Sequence, residues 1–115
     1  MTAHSRHPRR AAALVLITGL GLAAPAFALD EGAAEALVRR NNCLKCHGVD
    51  KDKDGPSFQK TARKYRGKAG AVDRVVEHLT SGEKAKFPDG HEEDHKIVRA
   101  ERADLENLAQ WILSR

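Results

Sequence analysis

Cys43-Leu44-Lys45-Cys46-His47 sets two thiols two residues apart and puts an imidazole directly after the second. Thiols at this spacing can each add to one vinyl group of the same haem, and the adjacent histidine is then held beneath the iron as an axial ligand. Three other chemistries use part of the pattern. A redox Cys-x-x-Cys pair wants a strand-to-helix context, which the neighbouring sequence lacks. A zinc site wants a second cysteine pair, and the chain has only two cysteines. A structural disulfide leaves His47 without a role. Haem attachment uses all three side chains.

Upstream, residues 1–28 have the zones of a secretory signal. Arg6, Arg9 and Arg10 precede the apolar run from Ala11 to Pro25, and Ala26-Phe27-Ala28 is a small-x-small cleavage site. The run falls short of the roughly 20 apolar residues that span a bilayer. We therefore expect cleavage after Ala28, export to the periplasm, and a mature domain of residues 29–115 with no membrane segment.

Cleavage changes the charge. The whole chain carries +4, but the mature part retains 17 basic against 16 acidic residues. The basic excess belongs to the leader, and nothing calls for a nucleic-acid partner. The 87 mature residues hold only Phe58, Tyr65, Phe87 and Trp111 as aromatics. A core that thin needs an added staple, which a large apolar macrocycle would provide.

Segments of helical period alternate with loops. Asp30 to Asn41 starts acidic, ends in arginines and sets Ala33, Ala34, Leu37 and Val38 on one face. Residues 41–56 have no periodicity and read as a surface loop holding the cysteines. Ser57 caps a short helix through Arg66. Val72, Val75, Val76 and Leu79 mark a helix over 71–80, and Leu105, Leu108, Ala109 and Ile112, with Trp111 beside them, mark one over 101–114. No strand pattern is visible. The expected fold is all-α, four to five short helices around one covalently bound haem.

In this order of parts the chain resembles the small bacterial class I c-type cytochromes over nearly all of its mature length. An N-terminal helix runs into Cys43–His47; Gly55-Pro56 follows, its proline packing by the proximal histidine in that family. A C-terminal helix ends Leu108-Ala109-Gln110-Trp111-Ile112-Leu113. The resemblance implies that Cys43 and Cys46 carry the thioethers, that His47 is the proximal ligand, and that Trp111 packs the core around the haem.

Three departures stand out. Asn42 replaces a frequent glycine and Val38 a frequent aromatic residue. More important, the family's distal methionine is missing, since Met1 is the only methionine and leaves with the leader. His95 stands 16 residues before Trp111, the separation at which the family places its methionine, and is the expected distal ligand. His91, one helical turn earlier at i−4 and so able to reach the same face, is the alternative, although a solvated loop position accounts for it more simply. His78 reads as an exposed or half-buried helix residue.

His91-Glu92-Glu93-Asp94-His95 also matches H-E-x-x-H, the zinc-peptidase motif, but only if both histidines lie on a helix. Pro88 and Gly90 interrupt that segment, and acids and histidines on a solvated loop explain it more simply. Lysines 45, 51, 53, 60, 64, 68, 84, 86 and 96 suggest a docking face. Asp50, Asp52 and Asp54 neutralise part of it, so only a transient, salt-sensitive encounter is expected.

The expected protein is thus a non-enzymatic, periplasmic, single-electron carrier or cytochrome subunit of an oxidoreductase. Its haem c is bis-histidine ligated and of low potential, and its partner is another periplasmic redox protein. The competing expectation is a haem-based binder or sensor of a small gas or anion, with a labile distal histidine.

Overall fold

The structure is a computed structural model that describes residues 1–2, 21 and 28–115. The expected leader therefore lies almost wholly outside the described residues. Among those described, no helix is long and apolar enough to cross a membrane.

Helix α1 spans Glu31–Arg40. The Asp30 carboxylate caps it by accepting from the Ala33 N–H at 2.9 Å, and Glu31 at its start and Arg39 and Arg40 at its end complement the helix dipole. Ala34, Leu37 and Val38 form its buried stripe. The chain then reverses through Asn42, whose φ of 54° is left-handed. That conformation explains why glycine is common here in the resembled family, and asparagine is among the few other residues that adopt it readily.

A single 3₁₀ turn over Cys43–Lys45 follows. Helix α2, Phe58–Tyr65, is capped by the Ser57 hydroxyl, which accepts from the Lys60 N–H at 3.1 Å. Helix α3, Ala71–Thr80, buries Val75, Val76 and Leu79. Helix α4, Arg102–Leu113, contributes Leu105, Leu108, Ala109, Trp111 and Ile112 and packs against each of the other three helices. Leu108 and Ala109 have no exposed surface, which puts α4 at the centre of the core.

The start of α1 is locked to α4 and to Arg115 just beyond it. Asp30 and Asn107 exchange two hydrogen bonds, Asp30 N–H to Asn107 Oδ1 at 2.9 Å and Asn107 Nδ2 to the Asp30 carbonyl at 2.8 Å. Trp111 Nε1 donates to Glu31 at 2.9 Å, and Arg115 lies over the indole while also pairing with Glu31.

The helical expectation holds, with one addition. Strands β1, Lys84–Lys86, and β2, Glu92–Asp94, form an antiparallel hairpin with Lys84 opposite Asp94. Its turn closes through the Phe87 N–H to the His91 carbonyl and the Gly90 N–H to the Phe87 carbonyl, both 2.9 Å. Lys-Ala-Lys against Glu-Glu-Asp has no apolar alternation, so period-2 patterning could not reveal it. Backbone pairing and the Lys84–Asp94 ion pair at 2.6 Å hold it instead.

Candidate haem site

A cavity of about 730 Å³ opens among the 3₁₀ turn, the loop after it, α3 and the end of the hairpin. Phe58, Val75, Leu79, Val98 and Ile112 give it an apolar wall, and Cys43, Cys46, His47, Pro56, His78 and His95 all border it. A mostly apolar cavity of this size suits a large planar ligand.

Asn41 and Asn42 end α1 so that the turn can fold back on itself. The His47 N–H and Cys46 N–H both reach the Cys43 carbonyl, at 3.0 and 3.3 Å, which brings both cysteines and His47 to one wall. The cysteines are free thiols. Burial pushes the Cys43 thiol up from its ordinary value, opposite to the lowered value of a reactive redox cysteine.

His47 is held from three sides. Its Nδ1–H donates to the Pro56 carbonyl at 2.7 Å, which fixes the tautomer and leaves Nε2 free to bind a metal. Phe58 stacks on the ring at 5.6 Å between centroids, inclined by 20°. Behind the ring lies Gly55, where a Cβ would sit 2.5 Å from Cε1 and 2.8 Å from Nδ1 of His47. Asp52 pairs with His47 as an isolated antiparallel bridge.

His95 faces His47 across the cavity. Their ring centroids are 6.2 Å apart and the planes are inclined by 56°. The His95 Nδ1–H donates to the Lys96 carbonyl at 2.9 Å, and its N–H is tied to the Glu83 carbonyl at the hairpin base. Burial first, then the nearby His78, holds its pKa below the ordinary value, favouring the neutral imidazole that a metal requires.

The structure does not bring His91 to this place. Its segment is extended rather than helical, so the i−4 spacing does not put His91 and His95 on one helical face. His91 stacks on Phe87 at 4.3 Å and bonds to Asp89 and Glu93 on the outside of the hairpin. The same extension separates the histidines of the H-E-x-x-H match. Among the described residues no three His, Cys, Asp or Glu side chains converge on a metal position.

Trp111 stands one layer behind the cavity wall. Its ring meets Phe58 edge-on at 5.6 Å and does not itself line the cavity. Pro56 borders the cavity and supplies the carbonyl that holds His47.

Sequence reading missed the polar group on the far side. His78 projects from α3 to within 4.0 Å of the His95 ring, and its Nδ1 bonds to Glu83. Glu83 also receives Arg74 Nη2 at 2.9 Å. These bonds, His78's first and Arg74's second, hold the Glu83 carboxyl below its usual range. The helical spacing of Arg74 and His78, four residues apart, was the available signal.

Residues 32–115 match the family described as "Cytochrome c". Among solved structures, the class 1 cytochrome MtoD from Sideroxydans lithotrophicus ES-1 is 61% identical, with a TM-score of 0.74 over 76% of this chain and 97% of that one. Cytochrome c-552 of Hydrogenobacter thermophilus is 31% identical over 87% of this chain and 94% of its own length. For cytochrome c-551 of Pseudomonas aeruginosa the identity is 28%, over 87% and 90%.

Proposed function

Because the chain belongs to the cytochrome c family, whose members carry one covalently attached haem c and transfer electrons rather than catalyse a reaction, we propose that it is a periplasmic single-electron carrier with bis-histidine ligation. In this reading residues 1–28 are the leader, cleaved after Ala28, and residues 29–115 are the working domain. Cys43 and Cys46 form the thioethers, His47 is the proximal ligand and His95 the distal one. Pro56 fixes His47, and Trp111 backs Phe58.

The observation that carries this is the facing pair His47 and His95. Each donates its Nδ1–H to a backbone carbonyl, Pro56 or Lys96, which leaves two Nε2 atoms for one metal. An imidazole–metal bond of about 2.0–2.1 Å, plus about 1.2 Å from ring nitrogen to centroid on each side, gives about 6.4 Å between centroids. The 6.2 Å separation supports two imidazoles on one iron.

When bound, the haem iron supplies a one-electron Fe(II)/Fe(III) couple. The chain's part is to fix both imidazoles, keep the apolar walls dry and leave the cavity mouth open to a partner. Imidazole in place of a thioether favours the ferric state, so the potential lies below that of His/Met relatives. The partner is a periplasmic redox protein of correspondingly low potential, met either in a transient encounter or within an oxidoreductase assembly.

The visible spectrum of the reduced holoprotein, with and without carbon monoxide, tests this. Sharp low-spin bands unchanged by carbon monoxide are expected. A carbon monoxide shift would overturn firm bis-histidine ligation and favour a ligand-binding role.

A further inference from the structure

Three neighbours fix the plane of the His47 ring: the Pro56 carbonyl on Nδ1, the stacked Phe58 and Gly55 behind it. His95 has no such cradle in its own segment. Residues 95–100 form neither helix nor strand, and the hydrogen bond on the His95 ring runs only to the carbonyl of the next residue, Lys96. The last torsion of a histidine side chain is broad, so a single bond at the ring's edge leaves the plane free to pivot.

His78 lies against that plane. The two ring centroids are 4.0 Å apart and the rings are inclined by 45°. His78 comes from α3, a regular helix packed on α4, and not from the hairpin. One residue registers both imidazoles: the Glu83 carboxylate holds His78 Nδ1, while the Glu83 carbonyl accepts from the His95 N–H at 2.9 Å. Arg74, one turn before His78 on α3, grips both oxygens of that carboxylate through Nη2, at 2.9 and 3.2 Å. A ring locked in this way on a rigid element can orient a metal ligand from outside the coordination sphere.

We infer that His78 is a positioning residue for the distal ligand: its ring, pinned by Glu83 and Arg74, sets the plane of the His95 imidazole and keeps the two axial planes crossed, 56° apart. The inference rests on the reading of His47 and His95 as the two iron ligands. A distal ring held so need not turn when the iron changes oxidation state, which keeps the rearrangement that accompanies electron transfer small.

The test is electron paramagnetic resonance of the oxidised, frozen holoprotein. The largest g value of a low-spin haem with two imidazole ligands rises as their planes cross more steeply. His78→Ala removes the ring and the Glu83 bond together, whereas His78→Phe keeps a flat ring and removes only the bond. The His78→Ala signal is expected to move in g and to broaden, and the His78→Phe signal to stay close to that of wild type. An unmoved signal in His78→Ala would overturn the inference. Equal shifts in the two variants would overturn it as well, by placing the effect in the Glu83 bond and not in the ring. The visible spectrum of the wild-type protein under carbon monoxide tests ligation without any His78 variant, so a failure of bis-histidine ligation is distinguishable from a failure of this inference.

Discussion

His78 and His95 stand with ring centroids 4.0 Å apart, two imidazoles side by side on the wall that faces His47. They are held differently. His78 is pinned by Glu83, itself clamped by Arg74, whereas His95 hangs at the hairpin base and comes within 6.2 Å of His47. His95→Ala should therefore leave the haem attached but open the iron to carbon monoxide. His78→Ala should keep low-spin bands that carbon monoxide leaves alone. Spectra of both variants under carbon monoxide decide the point. A His95→Ala protein that stays closed to the gas would mean that His78 breaks from Glu83 and takes its place.

Gly55 has the tightest constraint at the proximal wall. A methyl there would meet three atoms of the His47 ring, the nearest at 2.5 Å, and the ring cannot retreat because Phe58 stacks on it. Gly55→Ala should cost about 1–3 kcal/mol as an overpacking strain and disturb the Pro56 hydrogen bond. Thermal melts of the holoprotein, read alongside the low-spin bands, measure both effects. A wild-type melt with wild-type bands would show that the loop gives way freely.

Much of this was legible in the sequence, for physical reasons. Buried Leu and Val at helical spacing mark α1, α3 and α4 to within a residue or two, because each of these helices buries one stripe, and the Ser57 cap marks α2. Cys43, Cys46 and His47 are contiguous, so their convergence needs no tertiary information. His95 came from its separation from Trp111. The hairpin was invisible because its strands are charged and exposed, and this misled the reading of His91 as one helical turn from His95. The association of His78 with Arg74 and Glu83 was missed because Glu83 belongs to a loop; only the folded hairpin base brings it to α3.

Removing the thioether attachment tests how far the haem serves as core. The cavity of about 730 Å³, at about 24 cal/mol per Å³ of void, corresponds to roughly 17 kcal/mol, an upper bound because part of it opens to water. Even half of that rivals the roughly 5–15 kcal/mol stability of a whole domain. Cys43→Ala combined with Cys46→Ala should thus give a largely unfolded apoprotein. Amide dispersion in a ¹H–¹⁵N spectrum checks it; a well-dispersed native pattern would show that the four helices pack without the macrocycle.

Asp52 ties the proximal loop to α2 through a charge that acid can remove. Its carboxylate accepts from Lys60 Nζ at 2.7 Å and from the Ser57 N–H at 2.8 Å, and these bonds, Lys60's foremost, hold its pKa below the ordinary 3.8. The folded state therefore binds this proton less readily than the unfolded chain does. The resulting stabilisation is complete at pH values above 3.8 and is lost as pH falls through the lowered value. Asp52→Asn can still accept from Ser57 but cannot pair with Lys60. At pH 7 it should melt a few degrees below wild type, and the two melting curves should converge as both are taken down toward about pH 2. A gap that persists unchanged in acid would mean that Asp52 acts through its shape and neutral hydrogen bonding, and that its charge contributes nothing to the loop that carries His47.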